Sequence, residues 1–499
     1  MAYRYTTLLS AALGAATLSG AVAAAPVSAA QPLQAAPLAQ APAQAQAPAQ
    51  APAAGKAFSQ IIAGSYYSAA LRADGTVWSW GRNLFGEIGV LAQNAVTSIA
   101  APVRLPNLSG IAAIATNGSG MNVALKADGT VWEWGSVPGL KPTPRASTLP
   151  VQVPGLANVT AVTAVEAGTG IALTGDGRLL TWSHAGADGK TAVTAVPGTY
   201  KWTNLIACGD LAFALDASGG VWGLGVRRDA NGGAALAPPF KLAGLPAMKQ
   251  LSAQANYGRL YGVDRIGGAW TWKLDLSAFH REGKAARVDG KPARLYPQLK
   301  AKEVQAGGYG LLLTEYGEVW TFGKGPNGQV GRVKGLSGIV SIASGGYHDL
   351  ALDAKGRVWG WGADNWNETG SVRPSGDGMQ YAPTPIQPAI DVYVNGKRLL
   401  SPFPARIDDG NVSVPMREVL QALGGSFAVA PDYATTLTYG GSTAVLAQGG
   451  GTIDGKPVEL APVRRSFSGV SMIPAGLLRQ LGVRAVWDGK RGELRLAGR

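Results

Sequence analysis

The stretch Ile61 to Gly89, IIAGSYYSAALRADGTVWSWGRNLFGEIG, decides how the chain is read, because variants of it return until about residue 385. An apolar run ends near Gly64, a second ends at Leu71, and after Asp74-Gly75 comes Val77-Trp78-Ser79-Trp80-Gly81. These read as three short strands with a tight hairpin at the Asp-Gly pair, which tolerates positive φ. Trp78 and Trp80, two apart on a strand, point to the same side. The turn, with the aromatic positions four and six residues beyond it, recurs at Asp128-Gly129 (Trp132, Trp134), Asp176-Gly177 (Trp182) and Ser218-Gly219 (Trp222). It returns at Gly267 (Trp270, Trp272), Tyr316-Gly317 (Trp320, Phe322) and Lys355-Gly356 (Trp359, Trp361). Seven copies between residues 74 and 355 give a mean period of about 47 residues, in the range of repeat architectures. Four short strands per repeat predict a mainly β fold, a seven-bladed β-propeller.

The pattern I-A-x-G, A-L-x-x-D-G-x-V-W-x-W-G and N-x-x-G-x-x-G, in Ile62 to Gly89 and again in Ser344 to Gly370, resembles the repeat of the regulator of chromosome condensation family. The resemblance spans residues 57–389 and implies a seven-bladed propeller. The family's second-strand histidine survives only as His348. Tyr67 holds that place in the first copy, a packing position.

After Pro388 the tryptophan period stops. Ile390 to Lys397 reads as a strand with an Asn395-Gly396 turn, Val412 to Val414 as a strand, and Pro415 to Leu423 as a helix with Met416, Val419, Leu420 and Leu423 on one face. Pro415 suits a first helical position, and Gly424-Gly425 ends the helix. The same order returns at Asp454-Gly455-Lys456, Val470 to Ile473, Pro474 to Leu481 and Val486-Trp487-Asp488, so a small α+β domain of two β-β-helix-β halves is expected over residues 390–499. The doubled V-N-G-K, V-P-M-R-E-V-L-Q-A-L-G and V-x-W-D pattern resembles the N-terminal stalk domain of copper amine oxidases. The oxidases' catalytic domain has no counterpart, since no histidine follows His348. The resemblance therefore implies neither copper nor oxidase activity.

Composition agrees with this division. A chain of 499 residues exceeds one ordinary core, and 70 glycines with 15% charged residues suit turn-dense β structure. The formal charge of +13 implies affinity for polyanions, yet no run of Lys or Arg interleaved with aromatics marks a nucleic-acid groove, so none is expected as partner. Residues 1–30 read as a signal peptide, with Arg4, an apolar stretch Leu8 to Ala25 and a cleavage site at Val27-Ser28-Ala29 or after Ala23 or Ala25, an uncleaved membrane anchor being the minority alternative. A secreted or cell-surface location in a bacterial envelope is the expectation, with no later segment able to span a bilayer. Residues 31–56, almost wholly Ala, Pro and Gln, read as an extended linker. The single cysteine, Cys208, excludes an intramolecular disulfide and reads as a small buried residue.

Chemistry is sparse. His184, His280 and His348 show no ligand spacing, Asp408-Asp409 reads as a hairpin turn, and Gly449-Gly450-Gly451 leads into no helix that would cradle phosphate. Neither a metal site nor a cofactor is expected. The tryptophans read as packing between blades. Copy-to-copy variation is concentrated in the turn between first and second strands, where Tyr66, Tyr67, Tyr257, Tyr309 and Tyr347 make a candidate protein-binding face; packing over the central channel explains them equally. Arg82, Asn83 and Trp366 follow the third strand. Lys397, Arg398, Arg464, Arg465, Lys490 and Arg491 form a candidate basic surface of the last domain, whose 13 Lys and Arg face 9 Asp and Glu.

The function expected is that of an exported, non-catalytic binding or scaffold protein. Its propeller face would recognise a protein or an anionic wall polymer, and its last domain would mediate attachment or a dimer. The alternative is an envelope polysaccharide hydrolase or lyase on a propeller face, which requires two convergent carboxylates.

Overall fold

The computed structural model describes residues 57–90, 97–136, 149–165, 168–185, 190–209, 211–228, 234–236, 238–254, 258–277, 286–326, 328, 330–370, 377–408, 410–430, 434–447, 450–458, 464–465 and 471–498. The expected signal peptide and linker, Tyr257, His280, Asp409 and Gly449 lie outside the described residues. So do the side chains of Arg464 and Arg465.

Among the described residues seven antiparallel sheets follow one another between Phe58 and Pro385, each made from one continuous segment. In the first, Phe58–Ala63, Tyr67–Arg72, Val77–Arg82 and Ser98–Arg104 pair in chain order. The first strands of neighbouring sheets approach one another, so they surround the axis and the fourth strands form the rim. The ring closes between the seventh and first sheets through Phe58 N to Gly356 O (3.2 Å), Gly346 N to Gly64 O (3.2 Å) and Ser68 Oγ with His348 Nε2 (2.7 Å).

The Asp-Gly turn works differently from the sequence reading. Gly75 N donates to Arg72 O and Arg72 N to Thr76 O, a type I turn completed by a left-handed residue. Only the glycine has positive φ: +75° at Gly75, and between +74° and +85° at Gly129, Gly177, Gly219, Gly267, Gly317 and Gly356. This explains why Asp gives way to Ser, Ile, Tyr or Lys while the glycine stays. A Cβ at Gly75 would lie 3.0 Å from Gly110 Cα as well. Gly75→Ala is therefore expected to destabilise by about 1 to 2 kcal/mol in urea unfolding, and Asp74→Ser by well under half as much.

Second strands are buried on both faces, and alternation divides them between neighbours. Ala69 and Leu71 pack with Trp134 of the next blade, whereas Ala70 packs with Trp80, Leu350 and Leu352 on the other side. Small alanines leave room for the indoles. Trp134 Nε1 donates to Glu87 O and Trp80 Nε1 to Glu368 O, both at 3.0 Å, so the same bond joins blade one to blade two and blade seven to blade one. In later blades the aromatic position nearer the turn is more peripheral: Trp132, Trp270 and Trp359 are half-buried, and Arg294 and Arg357 lie over the latter two, whereas Trp78 of the first blade is fully buried.

The last domain has three sheets around one core that includes Val414, Leu420, Leu437, Ile473, Leu478 and Leu494. The helices Met416–Leu423 and Ala475–Gln480 are each preceded by proline in extended conformation, so Pro415 and Pro474 are the N-caps rather than first helical residues. Gly424, at φ +81°, caps the first helix. The halves interlock instead of lying side by side. Asp391–Val394 pairs in parallel with Glu493–Leu496, and Ser413–Pro415 pairs antiparallel with Met472–Pro474. Phe403 packs against the Val90 and Val103 cluster of the first blade, and Arg72 Nη2 donates to Ala389 O (2.8 Å). Among the described residues no helix is long and apolar enough to cross a membrane.

Candidate functional site

Antiparallel order places the first turn of each blade and the loop after its third strand at one end, and the glycine turns at the other. In three blades an N–H at the end of the third strand donates to the carbonyl of a turn tyrosine: Arg82 to Tyr66 (2.9 Å), Gly323 to Tyr309 (2.7 Å) and Ala363 to Tyr347 (2.9 Å). These bonds fix the three tyrosines as equivalents.

Blades seven and one bring two of them together. The rings of Tyr66 and Tyr347 stack with centroids 4.9 Å apart, and Arg82 lies 4.5 Å from the Tyr66 centroid and 5.6 Å from that of Phe85. The result is a ladder, Tyr347–Tyr66–Arg82–Phe85, with Tyr347 49% and Phe85 50% exposed. The loop beneath is braced by Glu87, which takes Arg82 Nε on Oε1 and Phe85 N on Oε2, both at 2.8 Å, while Asn83 Oδ1 accepts from Ile88 N. Such bracing presents Phe85 at little further entropy cost. The hydrogen bond to Tyr347, then burial, raises the pKa of the Tyr66 phenol.

Blade seven repeats the bracing of this loop with Asp364 in the place of Asn83. Asp364 Oδ1 accepts from Thr369 N (2.8 Å) and Glu368 Oε2 from Trp366 N (2.7 Å), as Asn83 and Glu87 do. Ala363 stands where blade one has Arg82, so Glu368 Oε1 has no hydrogen-bond partner, and neither has Asp364 Oδ2. Burial pushes Glu368 up to about 8 and Asp364 up to about 7. Nearby Asp349 is also raised to about 7 by burial, against the hydrogen bond from Ser344 Oγ (2.6 Å). Tyr309, half-buried, is raised first by burial and then by the Asp349 and Glu368 charges. Asp364 and Glu368 are 2% and 0% exposed with one oxygen each on a backbone N–H, which makes them loop braces rather than a carboxylate pair facing a substrate.

Tyr67 does not belong to the face. It begins the second strand, is fully buried, and its hydroxyl bonds to Thr116 and Asn122 of blade two. His348 occupies the same interior position in blade seven, where burial lowers it to about 3. The basic surface also separates. Arg398 turns to Asp391 at 2.8 Å, in the joint with the propeller. Lys397 pairs with Val394, level with Leu496, whereas Lys490 and Arg491 sit in the turn before Glu493, at the opposite end of that strand pair. Among the described residues no group of three His, Cys, Asp or Glu side chains is placed to hold a metal ion. Phe85 and the buried carboxylates escaped the sequence reading; their signal was the Glu two residues before the last glycine of the loop, Glu87 in NLFGEIG and Glu368 in DNWNETG.

Residues 58–87 and 339–367 match the family model of the regulator of chromosome condensation (RCC1) repeat. These two segments resemble RCC1 repeats. Both matched segments contribute to the ladder, and they meet across the ring closure. Residues 393–496 match the copper amine oxidase N-terminal domain. Human alsin is 38% identical over 100 residues, 17% of this chain and 6% of alsin. The mitochondrial RCC1 domain-containing protein RUG3 of Arabidopsis thaliana is 30% identical over 154 residues, 28% of this chain and 34% of RUG3. The chain thus spans about a third or less of these relatives. Two solved RCC1-like structures align with a TM-score of 0.49: human WBSCR16, at 19% identity over 62% of this chain and 94% of that one, and Prp20p of Saccharomyces cerevisiae, at 17% over 65% and 88%. Prp20p has been characterised for its binding to Gsp1p and histones.

Proposed function

We propose that this is a non-catalytic binding protein of the bacterial cell envelope, exported by its first thirty residues, whose RCC1-repeat propeller recognises a protein through the Tyr347–Tyr66–Arg82–Phe85 ladder. The single observation that carries the reading is that ladder: two half-exposed aromatic rings held in a stack with an arginine, the residue types that dominate protein-binding hot spots. Rigid aromatics give much contact area for little rotamer entropy. The last domain serves attachment or self-association, with Lys397, Lys490 and Arg491 exposed to acidic wall polymers.

The test uses the full chain as bait against culture supernatant and wall extracts, with a Tyr347→Ala/Phe85→Ala variant and a Tyr316→Ala control at the glycine-turn end. Loss of a hot-spot aromatic costs about 2 kcal/mol, so partner affinity is expected to fall at least about 30-fold in the double variant and to hold in the control. Equal capture by all three proteins removes the ladder from the function. Fractionation of a C-terminally tagged chain tests export separately: recovery from the cytoplasm with residues 1–30 retained would refute it.

A further inference from the structure

We propose that the cleft between the first blade and the last domain binds a small carboxylate with an apolar body, its charge on Arg104 and its body against the walls. The cleft has a volume of about 230 Å³. Trp78, Val103 and Pro106 wall it on the propeller side, and Leu399, Phe403 and Pro404 on the other. Leu400, 73% exposed, stands at its rim. Small-molecule sites are concave, mostly apolar, furnished with few placed polar groups, and concentrated where two units meet.

Among the described residues the charges in the cleft do not balance. Asp391, 4% exposed, takes Arg398 Nε at 2.8 Å and Arg72 Nη1 at 3.6 Å, and Arg104 Nη1 approaches only to 4.0 Å. Three guanidiniums therefore share one carboxylate. The next acid, Asp74, is exposed and engaged with Thr76 through its Oδ1. Arg72 is sealed beneath, 4.1 Å from the Trp78 ring, with Nε and Nη1 making no hydrogen bond. Arg104, a quarter exposed on the cleft wall, is the cation left to a ligand. Burial and then the Arg398 charge lower its pKa, a cost that a bound anion would relieve. A planar guanidinium favours a carboxylate, which it can take with two parallel hydrogen bonds. A volume below the usual range for drug-sized pockets selects an acid of about ten heavy atoms.

This site lies at the glycine-turn end of blade one, since Trp78 pairs with Arg104 and Leu71 with Val77, so it is separate from the tyrosine ladder. A ligand touching both units would raise the melting temperature with concentration. Fluorine NMR titration of the full chain with 4-fluorobenzoate tests the proposal, beside 4-fluorobenzyl alcohol as the neutral analogue and inorganic phosphate as competitor. The acid is expected to saturate and to bind at least about tenfold more tightly than the alcohol, the scale of one charge-assisted hydrogen bond. Arg104→Gln is expected to weaken the acid about tenfold and leave the alcohol unchanged. Leu400→Glu, which sets a carboxylate at the exposed rim without touching the core, should act likewise. The proposal fails if the acid does not saturate, if acid and alcohol bind alike, if phosphate displaces the acid at equal concentration, or if both variants bind as the parent does.

Discussion

Trp80→Ala is expected to lower unfolding free energy by about 3 to 5 kcal/mol, the range for removing a large buried aromatic. The side chain is 0% exposed and fills the seam between blades one and seven, against Leu350, Leu352 and Val358. Its indole N–H also satisfies Glu368 O, a carbonyl 288 residues away in the chain. Among the described residues no strand is shared between the first and last sheets, so closure depends on this packing and a few hydrogen bonds. Trp134→Ala removes the same contact between blades one and two, where the chain itself keeps the neighbours together. Hydrogen exchange should therefore quicken selectively in Phe58–Ala63 and His348–Asp353 for the Trp80 variant, and urea unfolding gives the free energy. A loss below about 1 kcal/mol, or exchange that rises equally in both variants, would show that the seam does not hold the ring.

Stability should fall as pH rises from about 6.5 to 8.5, and Glu368→Gln should remove much of that fall. Glu368 stays protonated in the fold to about 8, while the unfolded chain ionises it near the ordinary 4.5. Between those values the folded state binds more protons, so stability present below 4.5 is lost as pH climbs through 8. Asp349 and Asp364, each raised to about 7, act in the same direction. His348 acts oppositely: lowered to about 3, it favours the fold above 6.5 and is lost as pH falls through 3. Of these four groups, the three carboxylates dominate above pH 6.5. Glutamine keeps an acceptor for Trp366 N without a charge to bury, so the variant is expected to exceed the parent by about 2 to 4 kcal/mol at pH 8.5, each tenfold change in proton affinity being worth about 1.4 kcal/mol. Urea unfolding at pH 6.5 and 8.5 measures both proteins; parallel slopes would overturn the assignment.

The recognition reading depends on how Tyr66 and Tyr67, adjacent in sequence, are divided. One lies in the turn and stacks with Tyr347; the other begins a strand and faces Thr116 and Asn122 of the next blade. Strand alternation makes such a division certain, but which tyrosine goes inside depends on where the strand begins. That is set by the Arg82 N to Tyr66 O bond across the blade. Arg398 departs from the expected basic surface for a similar reason: an exposed basic residue and a joint residue look alike until Asp391 is placed beside the first blade.

What the chain declares locally is the repeat itself. A glycine needed at positive φ, two aromatics two apart, and a proline before each helix are conditions imposed by neighbouring backbone, and they can be read wherever they recur. Only the tertiary structure decided which carboxylate loses its cation, which halves of the last domain interlock, and that three arginines converge on Asp391. Each of those depends on contact between residues tens to hundreds of positions apart, where the energy of a charge or a ring follows from what surrounds it rather than from what precedes it in the chain.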